Sequence, residues 1–255
     1  MIFASPPSVS RRGWIVRVLA AAAGTRVIGR SVADDRTAAG PKIASMVFDL
    51  RREALSLWWR DEAGRPFRTF DALEQSLKAS GRRLVFAMNA GMYEADFSPV
   101  GLFIANGREE RPLNRRDGAG NFYLKPNGVF HTAADGTAGI VETMEMAAHR
   151  GAVSLATQSG PLLVRKGVIH AGFNPRSSSR LIRNGVGVRD RHTVVFAISE
   201  EPVNFHEFAI HFRDVLRCPD ALYLDGTISS VLSTAPPLRI VRAELGPILA
   251  LTARI

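Results

Sequence analysis

Ala221-Leu222-Tyr223-Leu224 is a short apolar run that breaks into Asp225-Gly226-Thr227-Ile228-Ser229-Ser230. That break constrains the fold more than any other stretch. A short apolar run bounded by turn residues reads as a buried strand. An acid and two hydroxyls at its tip read as a polar site carried on a rigid element. An isolated Asp-Gly reads instead as a turn whose carboxylate bonds its own backbone. Here the form recurs. Residues 83–88 run into Asn89-Ala90-Gly91, and residues 152–157 into Gln158-Ser159-Gly160-Pro161. Gly91 lets backbone approach a ligand, and Asn89 offers both a donor and an acceptor.

The remaining segments fit a sheet-rich chain with few helices. Residues 43–50 and 55–60 read as strands, the second alternating Leu55, Leu57 and Trp59. Thr69 caps a helix with Phe70, Leu73 and Leu77 on one face, ended by Gly81. Asn106-Gly107 marks a hairpin. Residues 121–130 read as a second hairpin, with Lys125 near its turn as an anion contact, and residues 144–149 as a short helix. Asn204 caps a helix to about Leu216 with Phe205, Phe208, Phe212 and Val215 as its core face. Residues 183–188 and 193–199 read as paired strands, and residues 239–241 and 248–252 close the sheet. The Gly-Val-Gly-Val spacing at 185–188 lacks the helix opening of a dinucleotide-binding loop. The fold class expected is α+β, a single domain with a large mixed, mostly antiparallel sheet and a few covering helices.

Charge narrows the partners. Lys and Arg total 33 against 24 Asp and Glu, a formal charge of +9. Such a field steers phosphate and other anions inward, and Arg176 and Arg180 on a Ser-rich loop are candidate contacts. No nucleic-acid-binding motif accompanies the charge, so no nucleic acid is expected. The single cysteine, Cys218, reads as a small core residue. His206 and His211 are five apart and fall on different helix faces. No metal and no cofactor are expected. Residues 1–40 read as a disordered tail or an imperfect signal segment, with Arg11-Arg12 before an apolar run that Arg17 interrupts. The run is too short for a stable membrane span. A periplasmic or secreted location follows from that reading.

Four segments in order carry a family resemblance: residues 86–92, 158–163, 183–188 and 224–230. Together they resemble the phosphodiester glycosidase family, in its compact bacterial branch, over residues 43–255. Two departures stand where ligand shape is read. Thr227 and Ile228 replace two glycines of the family's Asp-Gly-Gly-Gly-Ser-Ser, and Asn184-Gly185 replaces Thr or Ser followed by Ala.

The resemblance implies a hydrolase that cleaves a glycosyl phosphodiester at the sugar C1–O bond. Its ligand would be a sugar-phosphate small molecule or an envelope glycan. A phosphate leaving group carries its own charge, so the site needs anion stabilisation more than proton donation. Asp225, Arg183 and Asn89 are the expected catalytic residues. Asp225 would stabilise the oxocarbenium-like centre or activate water, and the Arg183 fork would meet phosphate. Gly91, Gln158, Ser159, Asn184, Gly226, Ser229, Ser230 and Lys125 are the expected substrate-binding positions. Asp96, Asp117 and Asp190 are candidates for a second carboxylate. The alternatives are a non-catalytic binder of envelope sugar-phosphate polymers and a basic nucleic-acid-binding protein.

Overall fold

The computed structural model describes residues 40–149 and 152–255. The tail or signal segment read from residues 1–40 lies outside them but for Gly40. In chain order the elements begin with β1 (Ile43–Asp49), β2 (Leu55–Trp58), α1 (Phe70–Ala79), β3 (Arg82–Asn89), β4 (Phe103–Ala105) and β5 (Arg108–Arg111). A 3-10 turn at Asn121–Tyr123 leads to β6 (Gly128–Thr132), β7 (Ala138–Glu142) and α2 (Thr143–Ala148). Then come β8 (Leu155–Ser159), β9 (Leu162–Arg165), β10 (Val168–Ile169), β11 (Asn184–Val188) and β12 (Thr193–Ser199). The last elements are α3 (Phe205–Ile210), β13 (Asp220–Asp225), β14 (Val231–Thr234), β15 (Pro237–Ile240) and β16 (Ile248–Arg254).

The strands form three sheets, in the orders β1-β12-β11-β13-β9-β10, β15-β14-β3-β16-β2 and β5-β4-β8-β6-β7. Every pairing in them is antiparallel. The α+β class and the antiparallel pairing are as expected. The division into three sheets is not, and burial explains it. Most strands are apolar on both faces, so each sheet needs cover on both sides. Phe48, Phe86, Phe103, Phe130, Phe196, Leu222 and Leu249 come from all three sheets and meet in one inner core. The outer faces are covered locally. Helix α1 sets Phe70, Leu73 and Leu77 on the second sheet, and α3 sets Phe208 on the first. On the third, Met146 of α2 packs with Val129 and Ala156.

Local signals account for the helix starts. Thr69 accepts from Ala72 N at 3.1 Å. Asn204 and Glu207 form a reciprocal capping box at 2.9 and 3.1 Å. The helix after Asn204 departs from the expected face at its end. Past Ile210 it widens to a π-helical turn, His211–Val215, with Leu216 N bonded to His211 O at 2.9 Å. The wider turn rotates the later side chains, so Phe212 stays buried while Val215 is 57% exposed. The expected hairpin over residues 121–130 is also revised. Its first half is the 3-10 turn, and β6 pairs forward with β7 instead.

Two glycines on β11 let α3 and its π-turn lie close on the sheet. A Cβ on Gly185 would stand 2.8 Å from Leu222 O, and one on Gly187 2.7 Å from Cys218 Sγ and 2.8 Å from the Phe212 ring. Cys218 is buried there, and burial pushes its thiol up to about 12. Among the described residues no helix is long and apolar enough to cross a membrane. Overpacking costs about 1–3 kcal/mol, so Gly187→Ala will lower the melting temperature by about 2–4 °C per kcal/mol. An unchanged melting temperature in a thermal scan would contradict this packing.

Candidate active site

The four strand-end segments converge. Asn184, which opens β11, stands opposite Asp225, which ends β13. Ser159, at the end of β8, donates from Oγ to Leu224 O at 3.2 Å. Asn89 ends β3, and its N–H donates to Ser230 O at 3.3 Å. These contacts join the tips of strands from all three sheets.

A buried polar network holds the junction. Asn89 Oδ1 accepts from Ser230 N at 2.8 Å, and Asn184 Nδ2 donates to Asn89 O at 3.1 Å. Ser229 Oγ lies 2.9 Å from Asp225 O, 3.0 Å from Ile182 O and 3.2 Å from Asn184 Oδ1. Ser230 Oγ donates to Ile228 O at 2.8 Å and accepts from Arg242 N at 3.1 Å. All four side chains are fully buried, and a buried polar network is stabilising only when its members are satisfied.

Asp225 stands at the edge of this network, 7% exposed. Its Oδ1 accepts from Thr227 N at 2.7 Å and Ile228 N at 3.1 Å. No hydrogen bond to Oδ2 is found among the described residues. Burial raises the carboxyl above the ordinary aspartate range, against the opposing pull of the backbone N–H groups. The neighbouring Gly226 has no room for a side chain, because a Cβ there would overlap the Tyr223 hydroxyl. Gly91 is required for another reason. Its φ is +142°, and a Cβ would come within 3.3 Å of Gln158 O.

Arg183 is fully enclosed and does not face a ligand directly. Its Nε donates to Val203 O at 2.9 Å, Nη1 to the Tyr223 hydroxyl at 3.2 Å and Nη2 to Ser179 O at 3.1 Å. It has no carboxylate partner among the described residues. Aromatic faces take that place, with the guanidinium 3.8 Å from the Phe205 ring centre. Phe205 stacks on Phe173 at 4.9 Å, and Phe173 on His170 at 4.6 Å. Burial lowers the Arg183 pKa, with Tyr223 opposing the shift.

Two tyrosines join the site that the motif reading missed. Tyr223 carries its hydroxyl to Arg183, and the Asn121 side chain faces the same hydroxyl. Burial holds that phenol well above its usual range. Tyr93 donates to Glu244 O at 2.8 Å, and burial followed by the Asp225 charge raises its pKa. The signal for Tyr223 was present, since it precedes Asp225 by one strand period.

Other expected residues serve elsewhere. Gln158 Oε1 accepts from the N–H groups of Leu102 and Asn114, both at 2.9 Å. Its Nε2 donates to Asn114 O at 2.7 Å and lies 3.1 Å from Thr143 Oγ1. That amide is committed to the scaffold. Lys125 pairs with Asp117 on the surface. Arg180 pairs with Glu207 at 2.9 Å, while the Arg176 side chain is exposed. Of the candidate second carboxylates, Asp190 caps the β11–β12 turn at the far end of β11 from Asp225, through His192 N and Thr193 N at 2.9 Å. Asp96 turns back on Ser98 N at 3.0 Å. Neither joins Asp225. Among the described residues no group of three His, Cys, Asp or Glu side chains is placed to hold a metal ion.

The acceptors are spread over Nε, Nη1 and Nη2 of Arg183, and a lysine's three donors sit on one nitrogen that does not reach them all. Arg183→Lys will therefore destabilise the fold by about 1–3 kcal/mol, read as a lower thermal midpoint. An equal midpoint would mean the fork holds nothing.

A family model described as phosphodiester glycosidase matches residues 82–244, which include all four strand-end segments. The chain is 35% identical over 199 residues to the uncharacterized protein YigE of Escherichia coli (strain K12), covering 77% of each chain. Its fold is similar to the zebrafish N-acetylglucosamine-1-phosphodiester alpha-N-acetylglucosaminidase catalytic domain, solved as auto-inhibited by its pro-peptide. That likeness has a TM-score of 0.57 at 15% identity and covers 88% of both chains. On the family match and the bacterial relative, the chain belongs to the phosphodiester glycosidase family.

Proposed function

We propose that this protein hydrolyses a glycosyl phosphodiester at the sugar C1–O bond, with Asp225 as the reacting carboxylate. The observation that carries the proposal is the state of Asp225. It is a buried acid with one oxygen fixed by two backbone N–H groups and the other without a bond among the described residues. Family membership supplies the reaction class, and the zebrafish neighbour acts by name on N-acetylglucosamine-1-phosphodiester.

The chemistry follows from the leaving group. A phosphate monoester departs as an anion, so the bond to C1 breaks with little proton donation. Positive charge grows on C1 and its ring oxygen. The ionised Asp225 stabilises that charge and takes a proton from the water that attacks C1. The water oxygen bonds to C1, the C1–O bond to phosphate breaks, and the phosphate leaves with the electron pair. Raising the Asp225 pKa makes it a stronger base, as proton abstraction requires. Arg183 acts as a positioning residue. It orients Tyr223 and the Ser179 loop and adds positive charge behind the site. Asn89, Asn184, Ser229 and Ser230 fix the strand ends that frame the carboxyl. The bare backbone at Gly226 admits the Tyr223 hydroxyl and that at Gly91 the Gln158 carbonyl, so both close the frame around the carboxyl.

The test is release of free sugar from a panel of sugar-1-phosphodiesters, including N-acetylglucosamine-1-phospho-mannose. The parent will release sugar, and Asp225→Asn will lose about 10²–10⁴-fold in kcat/KM. Undiminished turnover by folded Asp225→Asn would overturn the assignment. No release from any substrate would favour a sugar-phosphate binder. Activity will fall as pH drops through the raised Asp225 pKa, giving an acid limb above the ordinary aspartate range. Stability moves the other way. A carboxyl whose folded pKa is raised contributes stability at low pH that is lost as pH rises through that pKa. At neutral pH the buried charge is a cost, so Asp225→Asn will melt no lower than the parent there.

A further inference from the structure

Tyr93 is fixed from several sides. Its ring stacks on Phe97, with centroids 5.3 Å apart and planes 14° from parallel. The Arg68 guanidinium lies 4.3 Å from the Phe97 ring centre, and Arg68 pairs with Glu244. Gly246 sets bare backbone against the base of the Tyr93 ring, since a Cβ there would stand 2.4 Å from Tyr93 Cβ. Arg68 and Phe97 both take left-handed backbone, at φ +64° and +67°. Such angles are uncommon for large side chains. They persist where the surroundings over-determine them, and they gather at ligand sites.

This fixed ring stands beside Asp225. Tyr93 follows Asn89 by four residues, and Asn89 is bonded to Ser230 through both its N–H and Oδ1. Ser230 Oγ accepts from Arg242 N at 3.1 Å. The segment that starts at Arg242 carries Glu244, whose carbonyl accepts from the Tyr93 hydroxyl at 2.8 Å. These contacts close a ring next to the loop that leaves Asp225, and the Asp225 charge acts on the Tyr93 phenol. That charge acts on Tyr223 as well, but Tyr223 is fully buried. Tyr93 is half-buried, so of the two phenols it is the one a ligand can touch. Its hydroxyl already donates to Glu244 O, and what it keeps for a ligand is a lone pair. A phosphodiester at neutral pH presents only acceptors, whereas a sugar hydroxyl is a donor.

We propose that Tyr93 reads the sugar half of the ligand, its oxygen accepting a hydrogen bond from a hydroxyl of the glycosyl unit whose C1 faces Asp225. This rests on the reading of the ligand as a glycosyl phosphate. Tyr93 is then a specificity residue and not a second acid. It recognises the half of the ligand that keeps C1, so its hydroxyl governs which sugar is held and leaves phosphate affinity alone. A phenol already immobilised by Phe97, Gly246 and Glu244 loses little rotamer freedom when the sugar arrives.

The experiment is a calorimetric titration of the 1-phosphates of N-acetylglucosamine, glucose, galactose and mannose, and of inorganic phosphate. It is made in Asp225→Asn, which holds the probes intact. The tightest sugar phosphate is then titrated in its monodeoxy forms. One deoxy form will bind about 2–10-fold more weakly, the loss of one neutral hydrogen bond. Adding Tyr93→Phe will weaken the full sugar phosphate by the same factor and leave that deoxy form unchanged, because the two changes remove the two halves of one contact. Inorganic phosphate will not distinguish the two variants. Three results would overturn the assignment of Tyr93: no saturable binding of any sugar phosphate, a full set of deoxy penalties that survives Tyr93→Phe, or equal weakening of inorganic phosphate. A purely structural tyrosine would weaken every probe alike. Phenylalanine keeps the ring on Phe97, so the fold will persist, as a thermal scan will verify. The readout is equilibrium binding, so failure here is separate from failure of the hydrolysis assay at Asp225.

Discussion

The bond from Ser230 N to Asn89 Oδ1, 2.8 Å long and fully buried, is the contact on which the site depends. It ties the loop leaving the first sheet to a strand tip in the second. Asn184 reinforces it from β11 by donating to Asn89 O. Without these amides the three sheets would meet at unsatisfied backbone, and a buried orphan group costs more than a typical bond contributes. The network is also why Asp225 can be rigid. The carboxylate sits one turn before Ser229, whose hydroxyl lies 2.9 Å from Asp225 O.

Around that frame the electrostatics are asymmetric. Asp225 is a buried acid without a basic partner in contact, and Arg183 is a buried base without an acidic one. Tyr223 stands between them, bonded to the arginine and raised in pKa by burial and, more weakly, by the Asp225 charge. Two opposite charges held apart in a low-dielectric setting each retain a field that direct pairing would cancel. The separation is costly, and the rest of the fold offsets it with the aromatic stack of Phe205, Phe173 and His170 behind the guanidinium. Functional sites commonly keep such strain, where stability is sacrificed to reactivity.

Gln158 shows how a motif residue can matter without touching a ligand. It closes β8 next to Ser159, yet its amide turns towards Asn114 and Leu102. The effect is to brace the segment around Asn114. Strand-end chemistry therefore works in two directions here. One set of side chains frames Asp225, and Gln158 anchors the segment around Asn114.

Much of the fold was legible in the sequence because its causes are local. Thr69 and Asn204 cap helices through their own side chains, Asn106-Gly107 supplies the backbone a tight hairpin needs, and apolar runs mark strands. The four strand-end segments were legible for the same reason, and their order carried the family. Periodicity reports which face a side chain takes but not which neighbour it meets. Hence three sheets were read as one, the π-turn that exposes Val215 was not visible, and β6 was paired with the wrong neighbour. The same limit governs the site. Sequence determined that Asp225, Asn89, Asn184, Gln158 and Arg183 sit at strand ends. Only the tertiary structure decided how each spends its hydrogen bonds. Gln158 and Arg183 are taken up by carbonyls and N–H groups far along the chain, while Asp225 keeps one oxygen unbonded among the described residues, because donors and acceptors are allotted by three-dimensional proximity.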